Sequence, residues 1–440
     1  MNVRAAAVQR TAAAEPVPAV AGVAPVVVGV PSLSRRQRWL FLTAAVGPGL
    51  MVMLADTDAG SVVTAAQSGA RFGYRLLPLE VLLIPVLYLV MELTVRLGLT
   101  TGKGYAQLVK ERFGRGWAAV SVGTLLVTSV GALVTEFAGI AGVGSIVGVP
   151  EQLIVPGAAL LLVVVVASGS YRRVERIGIG LGLFELAFLV AAVRAHPDPG
   201  ALAGSLIAGQ PLANSGYLAL VAANVGAVVM PWMIFYQQAA ILDKGMTVRD
   251  LRAARVDTAA GAVVTQVIMM AVLVATGATL FDHHTGSLNT VAQISTALTP
   301  SLGATGGRLA FAMGVAGAAL VAGLVVSLGA AWAFAEVAGK PRSLNRGLRQ
   351  APLFYGVFIV AVVLSAALVL TSGSLVGLAI GVEILNSLLL PIVLVLLIVL
   401  AWTVLPAPYR LRLWERLVLV AVTAAVIVMG LTLAGTAIGL

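Results

Sequence analysis

The chain has 440 residues, 60% of them hydrophobic and only 10% charged, with no cysteine and a formal net charge of +10; its mean hydropathy is +1.02. Such values exclude a soluble domain and describe a polytopic membrane protein whose single core is a helix bundle. The absence of cysteine excludes disulfides, thiolate metal sites and cysteine nucleophiles. The positive charge is gathered in alternate loops, so it reads as a topology signal and not as a nucleic-acid surface.

Residues 1–34 are rich in Ala, Val and Pro, with Arg4 and Arg10. They lack the apolar core and cleavage pattern of a signal peptide and are expected to form a disordered cytoplasmic tail. Hydropathy then predicts eleven spans, at about 39–68, 76–99, 117–146, 153–169, 177–195, 214–242, 256–281, 308–336, 353–371, 375–402 and 415–437. Basic residues mark the tail and every second loop, and hold 23 of the 28 Lys and Arg. A Pro/Gly-rich loop follows span five and carries His196 and Asp198; a polar loop after span seven carries Asp282, His283 and His284. Positive-inside logic places the N-terminus in the cytoplasm of a cell-membrane protein, and eleven spans place the C-terminus outside.

Two spans are interrupted. Span one contains Leu54-Ala-Asp-Thr-Asp-Ala-Gly-Ser61, with carboxylates at Asp56 and Asp58. Thr, Asp, Gly and Ser are poor helix-interior residues, and a carboxylate at the bilayer centre is costly enough to imply function. Span six contains Gly226-Ala-Val-Val-Met-Pro-Trp-Met233, where Pro231 removes a helix hydrogen bond. The two spans hold matching places in two five-span halves of opposite orientation, about 39–195 and 214–402, with span eleven as an extra helix. The expected fold is therefore an all-α membrane bundle of two inverted repeats with broken helices one and six. Such breaks expose carbonyls and carboxylates to a cavity at mid-membrane.

Further acids lie within the spans. Glu383 sits in span ten with Asn386 one turn on; Glu136 is in span three and Glu185 in span five. Glu185 reads equally as a structural hydrogen-bonding group or a cation relay. Glu80 reads as interfacial, and Glu92, four residues before Arg96, as half of an ion pair. An oxygen-rich site of Asp56, Asp58 and Glu383 suits hard divalent cations. Met230 adds a soft thioether if it does more than pack. Three acids near one site cannot all stay ionised without a cation, which leaves proton exchange open as a coupling mode. No nucleotide-binding loop, metalloprotease motif or nucleophile–base pair is present, so no enzyme is expected. An intramembrane enzyme built on an Asp56/Asp58 dyad stays open, as does a sodium–amino-acid transporter of the same architecture.

From about Gly47 to the end of span eleven the chain resembles the Nramp family of divalent metal transporters. The resemblance rests on Gly47-Pro-Gly49, on Gly69-Ala-Arg-Phe-Gly-Tyr74, on Asp58-Ala-Gly-Ser61 at the place of the family's Asp-Pro-Gly-Asn, and on Gly226-Ala-Val-Val-Met-Pro231. Thr101-Gly-Lys103 and Arg112 resemble the first cytoplasmic loop. The resemblance implies that Asp58 is a metal carboxylate, Met230 the thioether ligand and Ala227 a carbonyl ligand, in a protein that works by alternating access. Departures are concentrated at the site. Ser61 replaces the Asn, Asp56 is additional, Trp232 and Gln237 replace two histidines, Glu383 replaces a Gln, and Gly139 replaces an acid beyond Glu136. The gain of carboxylates and loss of histidines resemble the Nramp-related magnesium transporters, whereas the retained Met230 points toward manganese or iron.

The sequence thus leads to an importer of Mg2+, or of Mn2+, with no bound cofactor. Asp58, Asp56, Glu383, Met230, Ser61 and the Ala227 and Ala55 carbonyls are the expected metal site. Glu136, Gln237 and Asn386 are expected in the proton pathway or behind the ligands. An ordinary proton-coupled Mn2+/Fe2+ symporter is the alternative.

Overall fold

The computed structural model describes residues 47–281, 294–295, 306–371 and 375–438. Among them every regular element is helical. The tail at 1–34 and the Asp282, His283 and His284 loop lie outside these residues. Eight helices are long and apolar enough to cross a membrane, and the 17-residue Glu151–Ala167 is a shorter apolar one.

Span one is two helices, α1 (Pro48–Asp56) and α2 (Ala59–Phe72). Then follow α3 (Leu77–Thr101), α4 (Tyr105–Val147), α5 (Glu151–Ala167) and α6 (Tyr171–Gly182), which continues through a 3-10 turn into α7 (Ala187–Arg194). After the short α8 (Pro199–Ile207), span six is α9 (Ser215–Val228) and α10 (Pro231–Asp243). The chain closes with α11 (Leu251–Leu280), α12 (Gly306–Ala338), α13 (Pro352–Val369), α14 (Leu375–Val404) and α15 (Leu413–Ile438).

Two sequence expectations need correction here. The first basic loop is mostly helical, because α4 begins at Tyr105; the chain turns at Gly114, whose φ of 88° is open to glycine at little cost. The loop after span five contains α8, whose first turn is capped by Asp198 Oδ1 accepting the Gly200 N–H at 2.9 Å.

The core sits around the broken helices. α2 packs on α11, α1 on α11 and α12, and α9 on α14. Span one is therefore enclosed by spans three, seven, eight and ten, and α1 and α2 are buried along nearly their whole length. In lipid such packing relies on small residues and interhelical hydrogen bonds. Asn224 of α9 donates to Ser68 Oγ of α2 at 2.9 Å, and Thr57 Oγ1 meets Thr265 Oγ1 of α11 at 2.7 Å. Glu80 is not interfacial: it is wholly buried, and neither carboxylate oxygen has a hydrogen-bond partner. Its place in the first turn of α3 suggests an exposed end, and Val81 and Leu82 beside it are exposed, but Glu80 faces inward.

Candidate metal site at two helix breaks

The break in span one follows from Thr57-Asp58. Thr57 leaves the helix at φ −79°, ψ 46°, and Asp58 is extended. Asp58 Oδ1 accepts the Ser61 N–H at 2.7 Å, so the carboxylate caps α2. Its other oxygen, Oδ2, is buried with no partner. The break in span six follows from Met230-Pro231: Val229 and Met230 are extended and Pro231 opens α10. A serine joins the two breaks, since Ser61 Oγ donates to the Ala227 carbonyl at 3.3 Å.

Span ten closes the site. A Cβ on Gly60 would lie 2.5 Å from Glu383 Oε1 and 3.4 Å from Asp58 Oδ1, so the absence of a side chain there lets the two carboxylates approach. Glu383 Oε2 accepts from Asn386 Nδ2 at 3.0 Å, leaving Oε1 buried and unpartnered. Gly226 is equally confined, because a Cβ on it would meet the Glu383 backbone carbonyl. Glu136 supports the break from span three, its Oε2 accepting the Ala59 N–H at 3.1 Å. Asp58, Ser61, Ala227, Glu383, Asn386 and Glu136 are thus gathered around the break in span one. The unpartnered oxygens of Asp58 and Glu383 are buried acceptors that a cation, a proton or an ordered water would satisfy.

The remaining expected residues sit at its edges. Asp56 ends α1, is 2% exposed and has one unpartnered oxygen. Ala55 is buried in the same turn. Gln237 lies further along α10 and donates to Thr258 Oγ1 at 2.9 Å. Met230 is fully buried, and its sulfur accepts the Trp232 indole N–H at 3.0 Å. The residue that departs from the family pattern thus engages the thioether directly. Among the described residues, no three His, Cys, Asp or Glu groups converge tightly enough to hold one ion between them. Asp58 is turned toward α2 and Glu383 is tied to Asn386, so a shared three-carboxylate shell needs side-chain movement.

Sequence reasoning missed Asp257. From α11 it accepts the N–H groups of Gly47 (3.1 Å), Gly49 (2.8 Å) and Leu50 (3.1 Å), and so caps α1 from another helix. The signal was present as a helix start, Gly47-Pro-Gly49, that offers no side-chain cap of its own.

The chain is similar to known proteins in sequence and in fold. The chain is 32% identical over 213 residues to a divalent metal cation transporter MntH of Yersinia pestis, a match covering 47% of this chain and 51% of that one. It is 30% identical over 279 residues to the MntH of Aeromonas hydrophila, covering 60% and 66%. The chain thus spans about half the length of the Yersinia relative it matches. In fold it is similar to a manganese transporter of Eremococcus coleocola, solved with an aromatic bis-isothiourea compound, with TM-score 0.74 at 17% identity over 90% of this chain and 87% of that one. A sodium-coupled sialic acid symporter, solved outward-open, is more distant, with TM-score 0.60 at 11% identity over 88% of each chain. The family model described as natural resistance-associated macrophage protein-like matches residues 49–436, from α1 into α15 and through both breaks, so this chain belongs to the Nramp family.

Proposed function

We propose that this chain moves a divalent metal cation across the membrane by alternating access around the paired breaks, and that Asp58, Ser61, the Ala227 carbonyl and Met230 are its metal site. The observation that carries this reading is the Ser61–Ala227 contact, which brings the two interrupted helices together beside the unpartnered oxygens of Asp58 and Glu383. Relatives carry the name of divalent metal cation transporters and a solved neighbour that of a manganese transporter, which supports manganese as substrate. An enzyme built on an Asp56/Asp58 dyad has no support among these transporters.

A second reading, magnesium, is favoured by a separate observation. Glu383 stands over Gly60 at the break, and the Met230 sulfur already accepts the Trp232 N–H. Hard oxygens would then dominate, with the ion retaining several waters between Asp58, Glu383 and Asp56. The basic loops support a cytoplasmic N-terminus, and import is the direction proposed. Glu136 would accept a proton if transport is proton-coupled.

Uptake into proteoliposomes with both metals in competition tests the readings. Transport of micromolar manganese in the presence of excess magnesium is expected for the manganese reading. Magnesium transport that suppresses manganese would establish the second reading, and failure to move either ion would overturn the function.

A further inference from the structure

At the basic-loop end of the bundle, α3, α11 and α15 meet around a charged floor. Arg96 Nε donates to Glu92 Oε1 at 3.0 Å, and Arg96 Nη2 donates to Glu415 Oε1 at 3.0 Å. Arg255 Nε reaches Glu92 Oε1 at 2.6 Å. The connector before α15 is fixed to this floor: the Arg412 N–H donates to Glu415 Oε2 at 2.6 Å, and the Tyr409 carbonyl accepts from Arg96 Nη1 at 3.4 Å. Above the floor lies a cavity of about 370 Å³, rimmed by Arg255, Arg410, Arg412, Tyr88, Tyr409 and Trp414. Four arginines face two glutamates there, an excess of positive charge. Neither the Arg410 nor the Arg412 guanidinium forms an ion pair with a carboxylate among the described residues.

The same helices carry a second, apolar hollow of about 230 Å³, walled by Leu83, Val86 and Val90 of α3 and by Val422, Ala425 and Val426 of α15. Both hollows are lined by α3 and α15, the charged one by Leu89 and Glu415 and the apolar one by Val90 and Val422. Trp414 lines the charged hollow and is 51% exposed, and its neighbours Leu413 and Leu417 are 73% and 62% exposed, apolar surface suited to lipid. The apolar hollow also borders Val229, the residue before Met230.

We infer that these two hollows on α3 and α15 together bind an anionic phospholipid, with its phosphate on Arg255, Arg410 and Arg412 and one acyl chain between α3 and α15. Guanidinium groups match phosphate oxygens in charge and geometry. A free phosphate anion shares that chemistry, but the apolar hollow on the same two helices and the exposed Leu and Trp side chains favour an amphiphile. Because Val229 lies against the acyl hollow, the bound lipid supports the outer half of span six next to its break.

The test uses the full chain purified in mild detergent. Native mass spectrometry measures retained dioleoyl phosphatidylglycerol, and the melting temperature is followed with that lipid, with dioleoyl phosphatidylcholine or with inorganic phosphate. Arg410→Gln/Arg412→Gln is expected to lower phosphatidylglycerol retention roughly 30-fold, the ratio equivalent to about 1 kcal/mol for each arginine. Ala425→Trp, which fills the apolar hollow and leaves all charges in place, is expected to lower retention as well. Arg249→Gln/Arg252→Gln removes two exposed charges outside the pocket and is expected to leave retention unchanged. Equal loss in both double-arginine variants would show diffuse surface attraction and overturn the site. Protection by inorganic phosphate matching that of the lipid, or full retention in Ala425→Trp, would overturn the lipid as its occupant.

Discussion

Asp58 performs two tasks that substitutions can separate. It caps α2 through Oδ1 and presents Oδ2 with no partner. Asp58→Asn keeps an N-cap oxygen but removes the charge, so metal uptake is expected to vanish at an unchanged melting temperature. Asp58→Ala loses the cap as well and is expected to cost about 1 kcal/mol of stability. Uptake by Asp58→Asn at the native rate would remove this carboxylate from the metal site. Gly60 gives a second test at the same scale. Gly60→Ala places a methyl 2.5 Å from Glu383 Oε1, forcing that side chain aside and slowing uptake. Glu383→Asp withdraws the carboxylate by one methylene and is expected to restore part of the rate in the double variant, a positive coupling that a double-mutant cycle reads directly. At Met230, Trp232→Phe removes the indole donor from the sulfur while preserving most of the ring. The freed thioether should raise the preference for cadmium or manganese over magnesium. No change in that ratio would mean that the sulfur only packs.

Among the elements, α1 depends on a residue it does not contain. Asp257 lies 208 residues from Gly49 in sequence, yet accepts three N–H groups at the start of α1. Asp257→Ala leaves them without that acceptor and is expected to cost about 2 kcal/mol, seen as a lower melting temperature with greater protease sensitivity near Gly47. Unchanged stability would mean that water serves α1 equally well. This cap also marks the limit of what the sequence conveyed. The two breaks were legible because Asp58 and Pro231 disfavour a helix interior and hold matching places in the two halves; local chemistry alone would not have sufficed, since Pro85, Pro156 and Pro391 lie inside helices. The Glu92–Arg96 pair was legible because four residues of spacing on one helix fixes the contact, but its extension to Arg255 and Glu415 was not. Asp257, the burial of Glu80 and the Trp232 contact with Met230 depend on which helices become neighbours, and hydropathy carries no such information. The helical start of α4 was missed for a related reason: Lys and Arg favour helices as readily as loops, and charge alone was taken as a boundary.

At the scale of the whole molecule, the distribution of charge and the paired breaks make one joint claim about orientation. If the basic loops face the cytoplasm, Arg35, Arg36 and Arg38 precede span one on that side, and every later basic loop returns to it. Metal import through a site between inverted halves then requires the stretch linking spans five and six to face outward. The chain offers a clean test because it has no cysteine, so each introduced thiol is the only one present. Lys340 lies in a basic loop and Ala213 between α8 and α9, and both are exposed. In intact cells a membrane-impermeant maleimide is expected to label Ala213→Cys and spare Lys340→Cys until the membrane is opened. The reversed pattern would invert the protein and overturn the cytoplasmic N-terminus. Labelling of both variants from outside would mean that the number of crossings from span six through span eight is even, where the expected three make it odd.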